Sequence, residues 1–125
     1  MVEPYILVVE DDTMTRSVMA DTLKYAGMLV MGVENANAAL EQIKVQLPAL
    51  IITDLMMPGI NGFEFLSRLH TNPETADIPV IVISGVVQDD AIRLPNVVRV
   101  IGKGQVEVND LQGYVRQLVS RMVEP

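Results

Sequence analysis

The groups that could do chemistry in this chain stand at the ends of apolar runs. Glu10-Asp11-Asp12 follows Tyr5-Ile6-Leu7-Val8-Val9, and Asp54 follows Leu50-Ile51-Ile52-Thr53. Ser84 ends Val80-Ile81-Val82-Ile83, and Lys103 comes one glycine after the run that begins at Val97. Short continuous apolar runs mark strands buried on both faces. The pairs Pro58-Gly59 and Asn61-Gly62 follow Asp54 and signal a loop. A carboxylate at such a strand end is well placed for chemistry, because loops on a rigid scaffold are where reactive groups are usually carried. It can equally cap the next turn. Glu10-Asp11-Asp12 has the same ambiguity, as metal ligands or as an acidic helix start favoured by the helix dipole.

If these acids converge, their charges repel, and a bound proton or a cation must offset them. Carboxylate oxygens without His or Cys suit a hard cation, Mg²⁺ before Ca²⁺. Asp11 and Asp54 would be direct ligands. Glu10 would act through water, and the Met56 backbone carbonyl could complete the protein's share. Ser84 taken singly is a turn residue, and Lys103 taken singly is a solvated loop charge. Together on one rim, a carboxylate, a divalent cation, a hydroxyl and an ammonium make a site for a phosphoryl group. Asp54 would attack phosphorus, Lys103 and the cation would offset charge on the equatorial oxygens, and Ser84 would bond one of them.

The elements that must position these groups alternate along the chain. Strands are expected at residues 5–9, 28–33, 50–53, 80–83 and 97–101. Helices are expected between them. Thr13 is the expected cap of the first helix, whose inner face is Val18, Met19, Leu23 and Ala26, with Gly27 ending it. Asn35 caps the second, with Ala36, Ala39, Leu40, Ile43 and Leu47 facing inward. The third runs over residues 62–71 with Phe63, Leu66 and Leu69 at helical spacing. Residues 88–94 give at most two turns before Pro95-Asn96, and Leu111, Tyr114, Val115, Leu118, Val119 and Met122 form a final amphipathic stripe. Alternating strands and helices argue for one flavodoxin-like, doubly wound α/β domain over residues 1–125, with a five-stranded parallel sheet in the order 2-1-3-4-5 and helices on both faces. Ligands of that fold bind outside the strand ends at the switch point between the first and third strands. Glu10, Asp11 and Asp54 fall there.

The chain has 125 residues, 50% of them hydrophobic, and a formal charge of -7. That fits one domain. Without a basic cluster it is a poor direct binder of nucleic acid or anionic membrane. Cys is absent, which excludes a disulfide framework and thiolate metal sites. No secretion signal and no run long enough to span a bilayer can be read, so a cytoplasmic protein is expected.

With these pieces in place, the sequence resembles the receiver domain of two-component response regulators. The resemblance rests on Ile6-Leu7-Val8-Val9-Glu10-Asp11-Asp12, Asp54-Leu55-Met56-Met57-Pro58-Gly59-Ile60-Asn61-Gly62, Ile78-Pro79-Val80-Ile81-Val82-Ile83-Ser84-Gly85 and Lys103. It implies that Asp54 accepts phosphate from a histidine kinase or histidine phosphotransfer protein, with Mg²⁺ on Glu10, Asp11, Asp54 and the Met56 carbonyl. It further implies that Ser84 is the Ser/Thr switch and Lys103 the family's lysine, and that a downstream protein reads the phosphorylated state. Such a domain is not an enzyme on an outside substrate; it catalyses only its own phosphorylation and dephosphorylation. The departures lie late in the chain. Gly104 stands where receivers usually have Pro, Val100 where they have Tyr or Phe, and the Gly-Ala ahead of the fifth strand is replaced by Arg93-Leu94-Pro95-Asn96-Val97. The interval from Ser84 to Lys103 is short, so a stunted fourth helix is expected.

Three alternatives compete. One is a phosphorylation-independent interaction module, favoured by the unusual segment 88–104. A second is an aspartate-dependent phosphatase, disfavoured because Met56 stands where such enzymes carry a second Asp. A flavin protein is disfavoured by the absence of Trp and the few aromatics. Valine has no ring to swing and a stiff χ1, so a switch in this chain is expected to work through loop order at Ser84-Gly85-Val86-Val87. On fluoroberyllate addition, backbone NMR shifts are expected to concentrate there. Shifts spread over the Val100 strand and the last helix, with that loop unmoved, would contradict this.

Overall fold

Side chains along a strand point alternately to its two faces, and each apolar run here supplies both. Leu7 and Val9 of β1 (Ile6–Val9), Ile51 of β3 (Leu50–Asp54), and Val80 and Val82 of β4 (Val80–Ser84) pack into one core. Ile6, Val8, Leu50, Ile52, Ile81 and Ile83 pack into a second core on the opposite face. The computed structural model describes residues 4–55, 62–84 and 96–102, together with 113 and 116. With β2 (Val30–Val33) and β5 (Val97–Gly102), the strands form one parallel sheet in the order β2-β1-β3-β4-β5. The expected architecture is therefore observed. The helices α1 (Thr13–Tyr25), α2 (Ala36–Val45) and α3 (Gly62–Thr71) connect the first four strands. Leu23 of α1 joins the second core, while α2 and α3 line the first through Ala36, Ala39, Ile43, Phe65, Leu66 and Leu69.

Helix ends are closed by short-range bonds. Gly27 takes φ +93°, a left-handed conformation suited to glycine. Its N–H donates to the Lys24 carbonyl, and the next N–H, of Met28, donates to Leu23 at 3.1 Å. This pair of bonds, with Met28 packed beside Leu23, is a Schellman end. Asn35 caps α2 through its side chain, which accepts from the Ala38 N–H at 2.8 Å.

Several expected details are corrected. The cap of α1 is Asp12, not Thr13; its carboxylate accepts from the Thr15 N–H at 2.8 Å. Val18 is exposed, because the buried stripe of α1 runs through Ala20 and Leu23, with Met19 partly buried, and Val18 lies on its flank. Leu47 is exposed because α2 stops at Val45, so helical spacing no longer governs it. Phe63 is half exposed and Phe65 buried; two residues are a 200° turn of the helix, so only one can face the sheet. β2 starts at Val30 rather than at residue 28, since Met28 is used in closing α1. Strands β3, β4 and β5 each run one residue further, to Asp54, Ser84 and Gly102. The expected helix at 88–94 and the position of Gly104 lie outside the described residues. So does the final helix, except that Gly113 and Arg116 are helical.

Gly62 begins α3 against the backbone that follows Asp54. Its N–H donates to the Leu55 carbonyl at 3.0 Å, and a Cβ at position 62 would sit 2.4 Å from Leu55 Cα and 2.6 Å from its oxygen. Backbone cannot step aside as a side chain can. Gly62→Ala is expected to cost at least about 1–3 kcal/mol, the range for overpacking, measured by urea unfolding. Wild-type stability in this variant would show that Leu55 and Gly62 do not approach so closely.

Candidate functional site

Pairing between β1 and β3 decides where the acids meet. Val9 is the partner of Thr53 in the parallel ladder. The residues that follow, Glu10 and Asp54, therefore stand side by side at the carboxyl rim. Glu10 is 1% exposed and Asp54 3%, so two carboxylates are buried at the crevice, while Asp11 above them is exposed. One carboxylate oxygen from each of Glu10, Asp11 and Asp54 lies within 4.8 Å of the others. Among the described residues these three are the group able to hold a metal ion. Glu10 is held at its backbone as well, its N–H donating to the Val33 carbonyl of β2 at 3.0 Å.

Asp12 does not join them. Its carboxylate accepts from the Thr15 hydroxyl at 2.6 Å as well as from the Thr15 N–H, and the Asp12 carbonyl takes the Arg16 N–H. The two readings of the acidic run thus both apply, to different residues. Glu10 and Asp11 face the crevice, and Asp12 starts the helix.

The ladder also places the Ser84 backbone along the rim. Asp54 pairs with Ile83, and Ser84 pairs with Gly102. The Ser84 backbone is thus at the carboxyl end of β4, one residue beyond the level of Asp54, and Gly102 ends β5 beside it. The Ser84 side chain, Lys103 and Met56 lie outside what is described.

Two ionised carboxylates 4.8 Å apart repel by on the order of 3 kcal/mol at an effective dielectric of about 20. Burial of Glu10 and Asp54 limits screening by salt. A divalent cation relieves this directly. The donor set is oxygen only, which suits a hard cation. Oxygens on opposite sides of Mg²⁺ lie about 4.2 Å apart, so a triad of this size closes on one ion with little movement. The Asp54 carboxylate is buried at the sheet rim, at the end of β3.

One contact at the site was not anticipated. The Arg16 guanidinium donates through Nη1 to the Glu10 carbonyl at 2.8 Å. An arginine within the first turns of α1 was the available signal, but its target depends on how β2 and α1 pack.

Asp54→Asn removes one buried charge and retains the shape. Without divalent cations its melting temperature is expected to equal or exceed that of the wild type. Mg²⁺ bound at this triad and present at ten times its dissociation constant would stabilise the wild type by about 1.4 kcal/mol, and this gain is expected to vanish in the variant. A large fall in melting temperature in EDTA would contradict an acidic cluster at position 54.

Comparison with known proteins agrees with this arrangement. A family model described as the response regulator receiver domain matches residues 6–105. The two-component response regulator ORR6 of Oryza sativa subsp. japonica is 36% identical over 85 residues, covering 66% of this chain and 50% of that protein. The phosphate regulon transcriptional regulatory protein PhoB of Pseudomonas aeruginosa is 36% identical over 90 residues, covering 72% of this chain and 39% of that protein. The chain thus spans half or less of the length of these two curated relatives. A solved receiver domain of a signal transduction histidine kinase from Syntrophus aciditrophicus is 26% identical, with a TM-score of 0.85 over 98% of this chain and 95% of that one.

Proposed function

Because this chain belongs to the response regulator receiver domain family of two-component signalling, we propose that Asp54 is its phosphoacceptor. The observation that carries the reading is the convergence of the Glu10, Asp11 and Asp54 carboxylates within 4.8 Å at the ends of β1 and β3. The phosphoryl donor is a histidine kinase or a histidine phosphotransfer protein. An Asp54 oxygen attacks phosphorus, the bond from phosphorus to the donor's imidazole nitrogen breaks, and the imidazole leaves with the electron pair. Phosphorus ends on Asp54 as an acyl phosphate, which water later cleaves.

Glu10, Asp11, Asp54 and the Met56 carbonyl would hold Mg²⁺, which when bound supplies positive charge to the phosphoryl oxygens. Glu10 and Asp11 keep that charge beside the nucleophile. Lys103 offsets charge on the transferred group, and Ser84 donates a hydrogen bond to one of its oxygens. Phosphate then biases a two-state equilibrium through the difference in its contacts between the states. A downstream protein reads the result. Residues 1–125 act as a single receiver domain in the cytoplasm. Direct contact with nucleic acid is disfavoured by the net charge of -7. Among the described residues, no helix is long and apolar enough to cross a membrane.

Intact-mass spectrometry after incubation with acetyl phosphate tests the reading. One phosphoryl group is expected on the wild type with Mg²⁺, none in EDTA, and none on Asp54→Asn. Wild type that gains no mass would favour the phosphorylation-independent module, for which the unusual segment 88–104 is the argument.

A further inference from the structure

Asp11 is the exposed member of the acid triad, with no burial to hold it. Its position depends on the backbone that carries it. The peptide joining Glu10 to Asp11 is a rigid plane that contains the Glu10 carbonyl and both Cα atoms. Arg16 grips that carbonyl through Nη1 at 2.8 Å. The same residue is anchored at its other end, since its own N–H makes the 2.9 Å bond to Asp12 that starts α1. Glu10 is tied from the other side through its N–H to Val33. The Glu10–Asp11 plane is thus held from α1, and the peptide before it from β2.

The path of the Arg16 side chain uses Gly32, the β2 partner of Val8. A Cβ at position 32 would lie 3.1 Å from Arg16 Cγ and 3.3 Å from Cδ. The stem therefore lies against β2 where any side chain at position 32 would press on it by a few tenths of an ångström. With the backbone held in a helix and the head bonded to Glu10, the stem has little slack to move aside.

We propose that Arg16 is a positioning residue for the metal-binding acids. It acts through the Glu10–Asp11 peptide plane, and Gly32 is the slot that admits it. The proposal rests on the reading that Glu10, Asp11 and Asp54 hold Mg²⁺. Electrostatics and positioning give opposite signs here. Deleting a cation near three carboxylates strengthens Mg²⁺ binding, whereas releasing the peptide plane weakens it. A role confined to global stability moves the melting temperature and leaves the affinity of the folded protein unchanged.

The test is Mg²⁺ titration by isothermal calorimetry on wild type, Arg16→Met, Arg16→Lys and Gly32→Val, below each melting temperature. NMR relaxation of the Asp11 amide in metal-free protein accompanies it. Arg16→Met is expected to bind Mg²⁺ about 10- to 100-fold more weakly, the range expected when a group that orients a metal ligand is removed. Gly32→Val, which changes no charge, is expected to lose affinity in the same direction. Arg16→Lys, which keeps a donor, falls between. The Asp11 amide loses order in Arg16→Met and Gly32→Val. Equal or tighter binding in Arg16→Met with an unchanged Asp11 amide overturns the proposal, and so does wild-type behaviour in Gly32→Val. A wild type that binds no Mg²⁺ removes the metal reading first, and this proposal with it; a wild type that binds as well as its variants removes this proposal alone.

Discussion

Pairing of β1 with β3 brings together two side chains that electrostatics would keep apart. Val9 opposite Thr53 leaves Glu10 and Asp54 adjacent and buried at the rim. A single-residue slip in the ladder would reverse the faces of every apolar residue in the strand, so the hydrophobic cores hold the register against the repulsion. The burial of Ile6, Leu7, Val8, Leu50, Ile51 and Ile52 is what makes the acidic site possible. Stability is held in the two cores, and the unfavourable charge is concentrated at the sheet rim.

The surroundings of the site limit how far it can relax. Gly62 presses on the Leu55 backbone immediately after Asp54, and Glu10 is tied to β2 through Val33 and to α1 through Arg16. Asp12, next in sequence, is committed to starting α1. Each acid of the run has a different neighbourhood, and this separates the crevice acids from the cap within three consecutive residues. Preorganisation of this kind matters for phosphoryl transfer, in which the protein supplies mostly position and charge.

Much of this was legible in the residues themselves. Apolar runs of strand length, ended by carboxylates or turn pairs, were sufficient for the sheet and for placing Asp54 at its rim. Local geometry was read less well. Asp12 and Thr13 are both good caps, and which one closes the helix depends on where the strand before it ends. Phe63 and Phe65 are equally apolar, and only the direction of α3 against the sheet decides which is buried. Arg16 was passed over for a different reason. Its contacts depend on Gly32 in β2 and on the Glu10 carbonyl just past β1, and no local pattern joins an arginine to a glycine on another element. The expected roles of Ser84 and Lys103 rest on residue type and on the rung formed by Ser84 and Gly102.

The central claim is that the acids of β1 and β3 share one divalent cation beside the phosphoaccepting carboxylate. Anomalous diffraction from a crystal soaked in Mn²⁺, a redox-quiet substitute with the same preference for oxygen ligands, tests it most directly. The account predicts a single strong peak within bonding distance of the Asp11 and Asp54 carboxylates and within one water of Glu10. A peak elsewhere on the surface, with the Glu10–Asp11–Asp54 crevice empty at saturating Mn²⁺, would contradict it.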